Sequence, residues 1–392
     1  MKRIFWLLLL ALPAYLWAQR DCNALPGTVA AQVAAADSLA GEPKQAQYSQ
    51  IWHCLLPKIK HLDYEKLDSL DKLAVLQLRN ELGASQLRQA NYREASHWLL
   101  PRPDMPETDT LSLAYAVLLH NRAVLYQQTE RCAEAIPVYR RALNIKLKTL
   151  GNEWHLTVAE TFNNLGQCYL EQQDYETAAY TFMRAGGILV EKRGPKDIDV
   201  ANVSLSLGRA QMLMEEYARA EATYKAALHV LDGYQPTEQV LILAGRAARG
   251  LAGALLKQGK EQDAIKVLGI LLEDFEAQAA TVPAQEVVEA WRLLGHCFEQ
   301  QQLYQQAADS YTRAYARMQE TGQPIPPAMA YDVGRMRLLL LDYNQADRWL
   351  WEATEGKDLA VTQEALKALK LLYEATGNTR QLQKVTRMQA RL

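Results

Sequence analysis

Apolar residues recur at helical spacing along most of the chain, in blocks that end at short polar turns. We number each block from its first residue, which is residue 76 in the first block. Positions 4, 7, 8 and 11 and then positions 20, 24 and 27 are apolar or small, following the 3.6-residue period of an α-helix. The turns between them are polar, as at Gln172-Gln173-Asp174. Runs of β-branched residues are scarce, which argues against strands. Each block therefore predicts two helices joined by a tight turn.

These blocks repeat. A small residue occupies position 8 of each block, with gaps of 40, 43, 42, 44, 43 and 39 residues: Gly83, Ala123, Gly166, Gly208, Ala252, Gly295 and Gly334. An alanine follows twelve residues after each of them: Ala95, Ala135, Ala178, Ala220, Ala264, Ala307 and Ala346. Small side chains at positions 8 and 20 predict that the two helices cross closely there, since larger ones would hold the axes apart. A large residue at position 24 fills the adjoining space.

This pattern resembles the tetratricopeptide repeat. The stretch 163–169, followed by Tyr175 and Ala178, is close to the family consensus, and the resemblance covers roughly residues 76–392. The period exceeds the usual 34 residues. With Gly151 and Gly194 before amphipathic helices, the chain looks like the kinesin-light-chain subclass, in an exported bacterial form. The resemblance implies an all-α, right-handed α-solenoid of stacked helix–turn–helix repeats.

The resemblance also implies a domain organisation. About seven clear repeats fill residues 76–358, starting near residues 76, 116, 159, 201, 245, 288 and 327. Residues 19–75 are predicted to form an N-terminal helical cap that includes a degenerate repeat. Residues 359–392 are predicted to form capping helices or a partial repeat, because a repeat array must cover its last hydrophobic face.

The first 18 residues are typical of a secretory signal peptide. Lys2 and Arg3 precede an apolar run over residues 4–12, and Ala18 ends the segment. The run is too short for a lasting transmembrane anchor, which needs about 20 residues. The sequence therefore predicts export, to the periplasm or the medium if the source is bacterial. Removing residues 1–18 leaves 41 basic against 45 acidic residues, a net charge of −4.

Export would permit disulfide bonds. The chain has five cysteines, of which Cys22 and Cys54 lie nearest the mature N-terminus, and we predict that they pair. The alternative is two unrelated thiols. Cys168 and Cys297 share position 10 of their repeats, where other repeats carry Ser or Ala. That position is interpreted as a packing site for small residues.

Charge and motifs exclude several classes of function. The net charge of −2 does not fit a nucleic-acid-binding protein, and it gives no reason to expect binding to an anionic membrane. The chain has no HExxH, paired CxxC or GxSxG motif, and its seven histidines are scattered. We therefore predict no metal, no cofactor and no catalysis. A groove-based enzyme is the least supported alternative, because Glu160 and Glu289 lie in repeats too far apart to act as a pair.

The sequence predicts a binding groove instead. In such a solenoid the first helix of each repeat lines the concave side, with positions 2, 5, 6, 9 and 13 facing the groove. Position 6 carries Asn121, Asn164 and Ser206 in successive repeats. A side-chain amide there can bond to the main chain of an extended peptide. Asn is also simply the family's consensus residue at this position.

Five arginines are predicted to share the groove of the C-terminal half: Arg209, Arg246, Arg249, Arg292 and Arg335. Their forked donors suit carboxylates of an acidic partner segment. The alternative is pairing with acidic residues of the chain itself, such as Glu289. The sequence thus favours a non-catalytic scaffold or adaptor that binds protein segments. The alternative is a sensor or regulatory subunit whose catalytic part is a separate chain.

Overall fold

The computed structural model describes residues 31, 33, 51, 69–101, 111–322 and 324–391. Within these residues there are sixteen α-helices and no strand. The chain divides into two compact units, residues 1–192 and 193–392, and each is described by itself. The predicted signal peptide (residues 1–18), Cys22 and Cys54 lie outside the described residues.

The first unit contains three helix pairs. Its first helices are α1 (Ser69–Arg88), α3 (Leu113–Gln128) and α5 (Leu156–Glu171). The second helices of the same pairs are α2 (Tyr92–Leu99), α4 (Cys132–Leu150) and α6 (Tyr175–Arg193).

The second unit contains five pairs. Its first helices are α7 (Ile198–Leu213), α9 (Glu238–Lys257), α11 (Ala284–Gln300), α13 (Pro327–Leu339) and α15 (Leu359–Thr376). Its second helices are α8 (Tyr217–Leu231), α10 (Glu261–Ala277), α12 (Tyr304–Glu320), α14 (Tyr343–Thr354) and α16 (Thr379–Gln389). The predicted all-α fold of consecutive helix pairs is confirmed in each unit.

The repeated small residues lie where the two helices of a pair come closest. All seven alanines at position 20 have an exposed fraction of 0%. The glycines at position 8 lie directly beneath the position-24 side chain of the same pair. A Cβ on Gly166 would come within 2.7 Å of the Phe182 ring, and one on Gly295 within 2.7 Å of the Tyr311 ring. Position 8 is therefore small because position 24 is large.

The core continues from one pair to the next. One cluster joins Ala123 of α3 and Tyr139 of α4 to Leu165 of α5. Another joins Tyr224 of α8 to Leu251 of α9, and continues through α10 into α11. Within each unit, the first helix of a later pair thus packs on its own second helix and on the pair before it, as expected of repeats that cannot bury their apolar faces alone.

In each of the first seven pairs, the turn between the two helices has one residue in the left-handed region, always at position 15. These residues are Ala90, Glu130, Gln173, Glu215, Gly259, Gln302 and Leu341, with φ between 54° and 69°. Only one of them is the glycine that this conformation favours. The sequence analysis identified the turns as polar but did not find this requirement.

Several helices begin at a side-chain cap. Ser112 accepts a hydrogen bond from the Tyr115 amide, and Asp358 accepts one from the Val361 amide. Such caps satisfy amide groups that have no partner within the helix.

Helix α9 is apolar and long enough to cross a membrane by length and composition. Its apolar residues instead form core contacts: Leu241, Leu251 and Leu255 lie in one buried cluster, and Val240 and Leu243 lie in another. It is therefore a core helix of the second unit.

Candidate functional site

The first helices of neighbouring repeats pack against one another within each unit. Contacts join α1 to α3 and α3 to α5 in the first unit, and α7 to α9, α9 to α11 and α13 to α15 in the second. We call the surface they form the first-helix face of the unit. All the predicted partner-binding residues lie on these helices: Asn121 on α3, Asn164 on α5, Ser206 and Arg209 on α7, Arg246 and Arg249 on α9, Arg292 on α11 and Arg335 on α13.

Amide side chains dominate the first-helix face of the first unit. Asn121 donates from Nδ2 to Asn80 Oδ1 of the preceding repeat at 2.6 Å. Asn163 donates to Asn164 Oδ1 at 3.5 Å, while its own buried Oδ1 has no hydrogen-bond partner. The Asn164 side chain also interacts with the Tyr139 hydroxyl. Neighbouring repeats therefore present neutral donors and acceptors side by side.

A hollow of about 430 Å³ opens between α1 and α3 beside Asn80. Gln77 and Asn80 line it on one helix, and Leu113 and Val117 line it on the other. Polar groups that can fix a main chain thus adjoin apolar groups that can accept a side chain, the usual combination in a site for a protein segment.

A buried cation lies behind this face. Lys146 of α4 is 1% exposed and donates from Nζ to the Thr157 carbonyl at 2.9 Å and to Thr161 Oγ1 at 2.8 Å. His120 Nδ1 lies 3.1 Å from the same hydroxyl oxygen. The other ring nitrogen of His120 is 3.5 Å from Glu160 and makes no hydrogen bond. The Thr161 hydroxyl of α5 therefore links this helix to α3 and α4.

Burial sets the titration of this cluster. It lowers the pKa of Lys146 to about 8, because the ammonium loses its water, and the more distant Glu160 carboxylate offsets this only in part. Burial also lowers the pKa of His120, against a raising effect of Glu160. Neutral His120 is thus favoured beside the Lys146 ammonium.

A disulfide bond joins two repeats of the first unit. Cys132 opens α4 and Cys168 lies on α5, with a Cα–Cα distance of 5.0 Å. The interpretation of Cys168 as a simple packing residue was therefore wrong. Its pairing was missed because Cys132 occupies the turn position that is usually Tyr, 36 residues earlier in the chain. Cys297, at the same repeat position as Cys168, is a buried free thiol.

Ion pairs between repeats characterise the second unit. Arg249 of α9 contacts Glu286 at 2.6 Å and Glu289 at 2.8 Å, both on α11. The Arg249 side chain is only 14% exposed and that of Glu286 only 10%. The alternative interpretation from the sequence, pairing with Glu289, is thus what the structure shows for Arg249.

The next repeat continues this arrangement. Arg292 lies 3.5 Å from Asp332. Arg335 binds Glu299 with two nitrogens, one at 2.8 Å, and Tyr311 donates to the same carboxylate at 3.1 Å. Burial is the largest single influence on the pKa of Glu299 and raises it, but the hydrogen bonds from Arg335 and Tyr311 and the nearby positive charge together lower the pKa below its usual value. Three of the five predicted arginines therefore hold adjacent first helices together.

The remaining two arginines are exposed. Arg209 and Arg246 form no ion pair with any described residue. Arg209 lies close enough to Tyr224 to act on its hydroxyl, whose pKa burial raises to about 12. Ser206 is partly buried on the same helix. Arg209 and Arg246 are thus the members of the predicted stripe that are open to an external carboxylate.

Among the residues that the structure describes, no three His, Cys, Asp or Glu side chains are grouped closely enough to hold a metal ion. What both first-helix faces offer is hydrogen bonds, charge and apolar contact.

Two segments of the chain match models of known families. Residues 114–186 and residues 290–324 each match a family described as tetratricopeptide repeat. No sequence among curated proteins matches the chain significantly.

Several solved structures are similar. The apo form of RapI is 13% identical, with a TM-score of 0.58 over 80% of this chain and 86% of that one. A signal transduction ATPase (STAND protein) with a tetratricopeptide repeat sensor from Pyrococcus horikoshii is 12% identical, with a TM-score of 0.59 over 90% of this chain and 53% of that one. Kinesin light chain TPR-like repeats from Podosopora anserina are 18% identical, with a TM-score of 0.46 over 52% of this chain and 94% of that one. Likeness at these identities concerns the fold.

Proposed function

Since this chain is a tetratricopeptide repeat protein, we propose that it is a non-catalytic scaffold that binds an extended segment of another protein on its first-helix faces. The observation that carries the proposal is the row of amides in the first unit. Asn80 lines the hollow of about 430 Å³ and accepts a hydrogen bond from Asn121 on the adjacent helix. Side-chain amides can pair with both the N–H and the C=O of a peptide main chain.

The second unit adds charge preference. Arg209 and Arg246 are exposed, and they supply guanidinium groups for carboxylates of the bound segment. Arg249, Arg292 and Arg335 already have carboxylate partners within the chain. They stabilise the repeats, and a ligand would have to displace those partners to reach them.

Peptide selection tests the amide row. Peptides selected from a random library against the mature chain should bind the double variant Asn121→Ala/Asn164→Ala at least about tenfold more weakly, since each lost bond leaves a peptide group unpaired. Asn144→Ala, an exposed amide on α4, is the matched control and should bind normally. Equal affinity for both variants, with unchanged helicity, would refute the amide row as a binding surface.

The arginines are tested separately. Arg209→Glu/Arg246→Glu should weaken selected peptides that contain Asp or Glu and leave neutral ones unaffected. Lys266→Glu/Lys357→Glu makes the same charge change on exposed residues away from the first-helix face. If this control weakens binding as much as the arginine variant does, the effect comes from net charge alone.

We also propose that the protein is exported. The apolar segment behind Lys2 and Arg3 supports this, and so does the disulfide Cys132–Cys168, because such bonds persist in oxidising compartments. The mature chain should begin at Gln19 and should not react with thiol reagents at Cys132 until it is reduced. An intact N-terminus, or two free thiols in protein isolated from its source, would contradict export.

A second candidate is the sensor part of a larger system. The STAND protein that is similar in fold carries a tetratricopeptide repeat sensor, which makes this role compatible with the architecture. Mild isolation of the tagged chain from its source at native levels should then recover a stoichiometric catalytic polypeptide. A chain isolated alone, yet still able to bind its segment, would favour the scaffold.

A further inference from the structure

Every charged side chain of α16 and the turn after it is positive. Arg380, Lys384, Arg387 and Arg391 are exposed, and residues 377–392 contain no Asp or Glu. The spacing of Arg380, Lys384 and Arg387 on α16 places these three within an arc of about 60° at 100° per residue, and Arg391 follows in the turn after the helix. We call these four side chains the basic face.

The basic face has no carboxylate partner among the described residues. Lys384 contacts a ring instead, with its ammonium 4.0 Å above the Trp351 indole. Two carboxylates of the neighbouring helices have other partners: Glu374 lies 3.9 Å from Lys370, and Asp347 accepts a hydrogen bond from Tyr373. The positive charge of the basic face is therefore uncompensated locally.

The opposite side of α16 is committed to the core. Val385 has an exposed fraction of 0% and lies in one cluster with Leu372 and Tyr373 of α15, against which Leu382 and Met388 also pack. The helix thus turns its larger apolar residues toward the core and its charged residues toward solvent.

We propose that the basic face docks an acidic segment of a separate protein. Arg380 and Arg387 lie seven residues apart on the helix, about 10 Å along its axis, and Arg391 extends the basic face into the following turn. A partner helix with Glu or Asp at the same four-three-four spacing would match them, and each pairing would be charge-assisted. The docking surface uses no residue of the first-helix faces, so it is independent of the binding function proposed above.

Two other polyanions fit less well. A membrane-bound helix of this kind inserts its apolar side between lipids, but here that side is buried in the protein. A nucleic acid would meet a chain of net charge −2 and a helix face with no aromatic side chain on which bases could stack. An acidic protein segment requires neither insertion nor stacking.

Fluorescence anisotropy with a designed probe tests the proposal. The probe is a labelled helical peptide with Glu at four-three-four spacing in an Ala/Gln background; the reference peptide carries Gln in place of Glu. The mature protein should bind the Glu peptide but not the Gln peptide, and binding should weaken as salt rises from about 50 to 300 mM, because screening shortens the reach of the charges.

Arg380→Glu/Arg387→Glu should reduce affinity for the Glu peptide by about tenfold or more. Arg140→Glu/Lys148→Glu, on exposed positions of α4, makes the same change in net charge and should have less than about a twofold effect. Lys384 is left in place because of its contact with Trp351. Normal thermal melting of both variants shows that folding is intact.

Four results would overturn the proposal. One is equal binding of the Glu and Gln peptides, and another is equal loss in the two double variants. A third is tighter binding to phosphatidylglycerol vesicles or to single-stranded DNA than to the Glu peptide. The fourth is a dimer that only Arg380→Glu/Arg387→Glu abolishes, which would assign the basic face to self-association.

Discussion

The two units share one packing rule but join their repeats by different chemistry. In both, a small residue at position 8 lies beneath a large one at position 24, and an alanine at position 20 is fully buried. The first unit then links neighbouring repeats by the side-chain hydrogen bond from Asn121 to Asn80 and by the disulfide Cys132–Cys168. The second unit links them by ion pairs such as Arg249–Glu286.

This difference shows which positions are free to vary. Packing within a pair is set by side-chain volume, and a small residue packed against a large one recurs in every repeat. The contacts that join neighbouring pairs lie at other positions, and they include neutral hydrogen bonds, a disulfide and ion pairs. We therefore expect the units to have a similar fold but to respond differently to reductant, pH and substitution.

Loss of the disulfide should give the largest difference between the units. Cys132→Ala/Cys168→Ala opens a link spanning 36 residues, and we expect it to destabilise the first unit by about 3–4 kcal/mol, since the unfolded chain gains freedom. Hydrogen exchange during chemical denaturation assigns the loss to a unit. Reductant should destabilise the first unit of the wild type in the same way, and in the double variant it can act only through the predicted Cys22–Cys54 bond. A loss spread equally over both units would break the comparison.

Alkaline pH should stabilise the first unit. The folded pKa of Lys146 is lowered to about 8 from 10.5, so the unfolded chain binds more protons between these values. Stability therefore rises as pH increases through this window, by up to about 3 kcal/mol. Below pH 8 Lys146 is charged in the folded protein, so the full free-energy cost of burying its ammonium lowers the stability of the unit. Denaturation curves between pH 7 and pH 10.5 measure the slope.

Lys146→Met is the control for that slope. It removes the titrating group while keeping a long side chain, so the first unit of the variant should lack this pH dependence. His120 adds a smaller effect near neutrality. Its pKa is lowered, so its contribution is present above the unfolded pKa and decreases as pH falls below it. If Lys146→Met retains the alkaline slope, another group is responsible.

Removing a single arginine should affect only the second unit. Arg249→Met leaves the carboxylate of Glu286 buried without its partner, which we expect to cost about 2 kcal/mol. The double variant Arg249→Met/Glu286→Leu should recover most of this, because no unpaired charge remains. Asn121→Ala in the first unit breaks only a neutral bond and should cost about 1 kcal/mol. A double variant less stable than Arg249→Met would contradict the assignment.

The fold was predictable because it depends on volume. Glycine or alanine at position 8 and alanine at position 20 are visible as letters, and their regular spacing fixes where helices must touch. The left-handed turn residue was not predictable in the same way. Gln173, Glu215 and Leu341 adopt positive φ although none is a residue type that favours it, since the flanking helices impose the conformation.

The candidate site was predictable only by position. Repeat numbering placed Asn121, Arg249 and Arg335 on first helices, where the structure has them. It could not say whether each side chain faces a ligand or a neighbour. That depends on the residue one repeat away: Glu286 for Arg249, and Glu299 for Arg335. The Cys132–Cys168 bond was missed for the same reason, because it joins unlike positions of consecutive repeats.

The smallest expected effect concerns what the units share. Gln173 and Gln302 are exposed and have φ of 62° and 59°. Gln173→Gly and Gln302→Gly should each raise the free energy of unfolding by about 0.5–1 kcal/mol. Glycine removes the steric strain of a left-handed backbone, and this gain exceeds the loss from the larger conformational entropy of glycine in the unfolded chain. Gly259, with φ of 69°, occupies the same turn position in its repeat, and Gly259→Gln should lower the free energy of unfolding by a similar amount. Chemical denaturation measures all three. If the units differ only in how their repeats are joined, the gain must be equal in both. A gain confined to one unit would mean that the turns, too, differ between them.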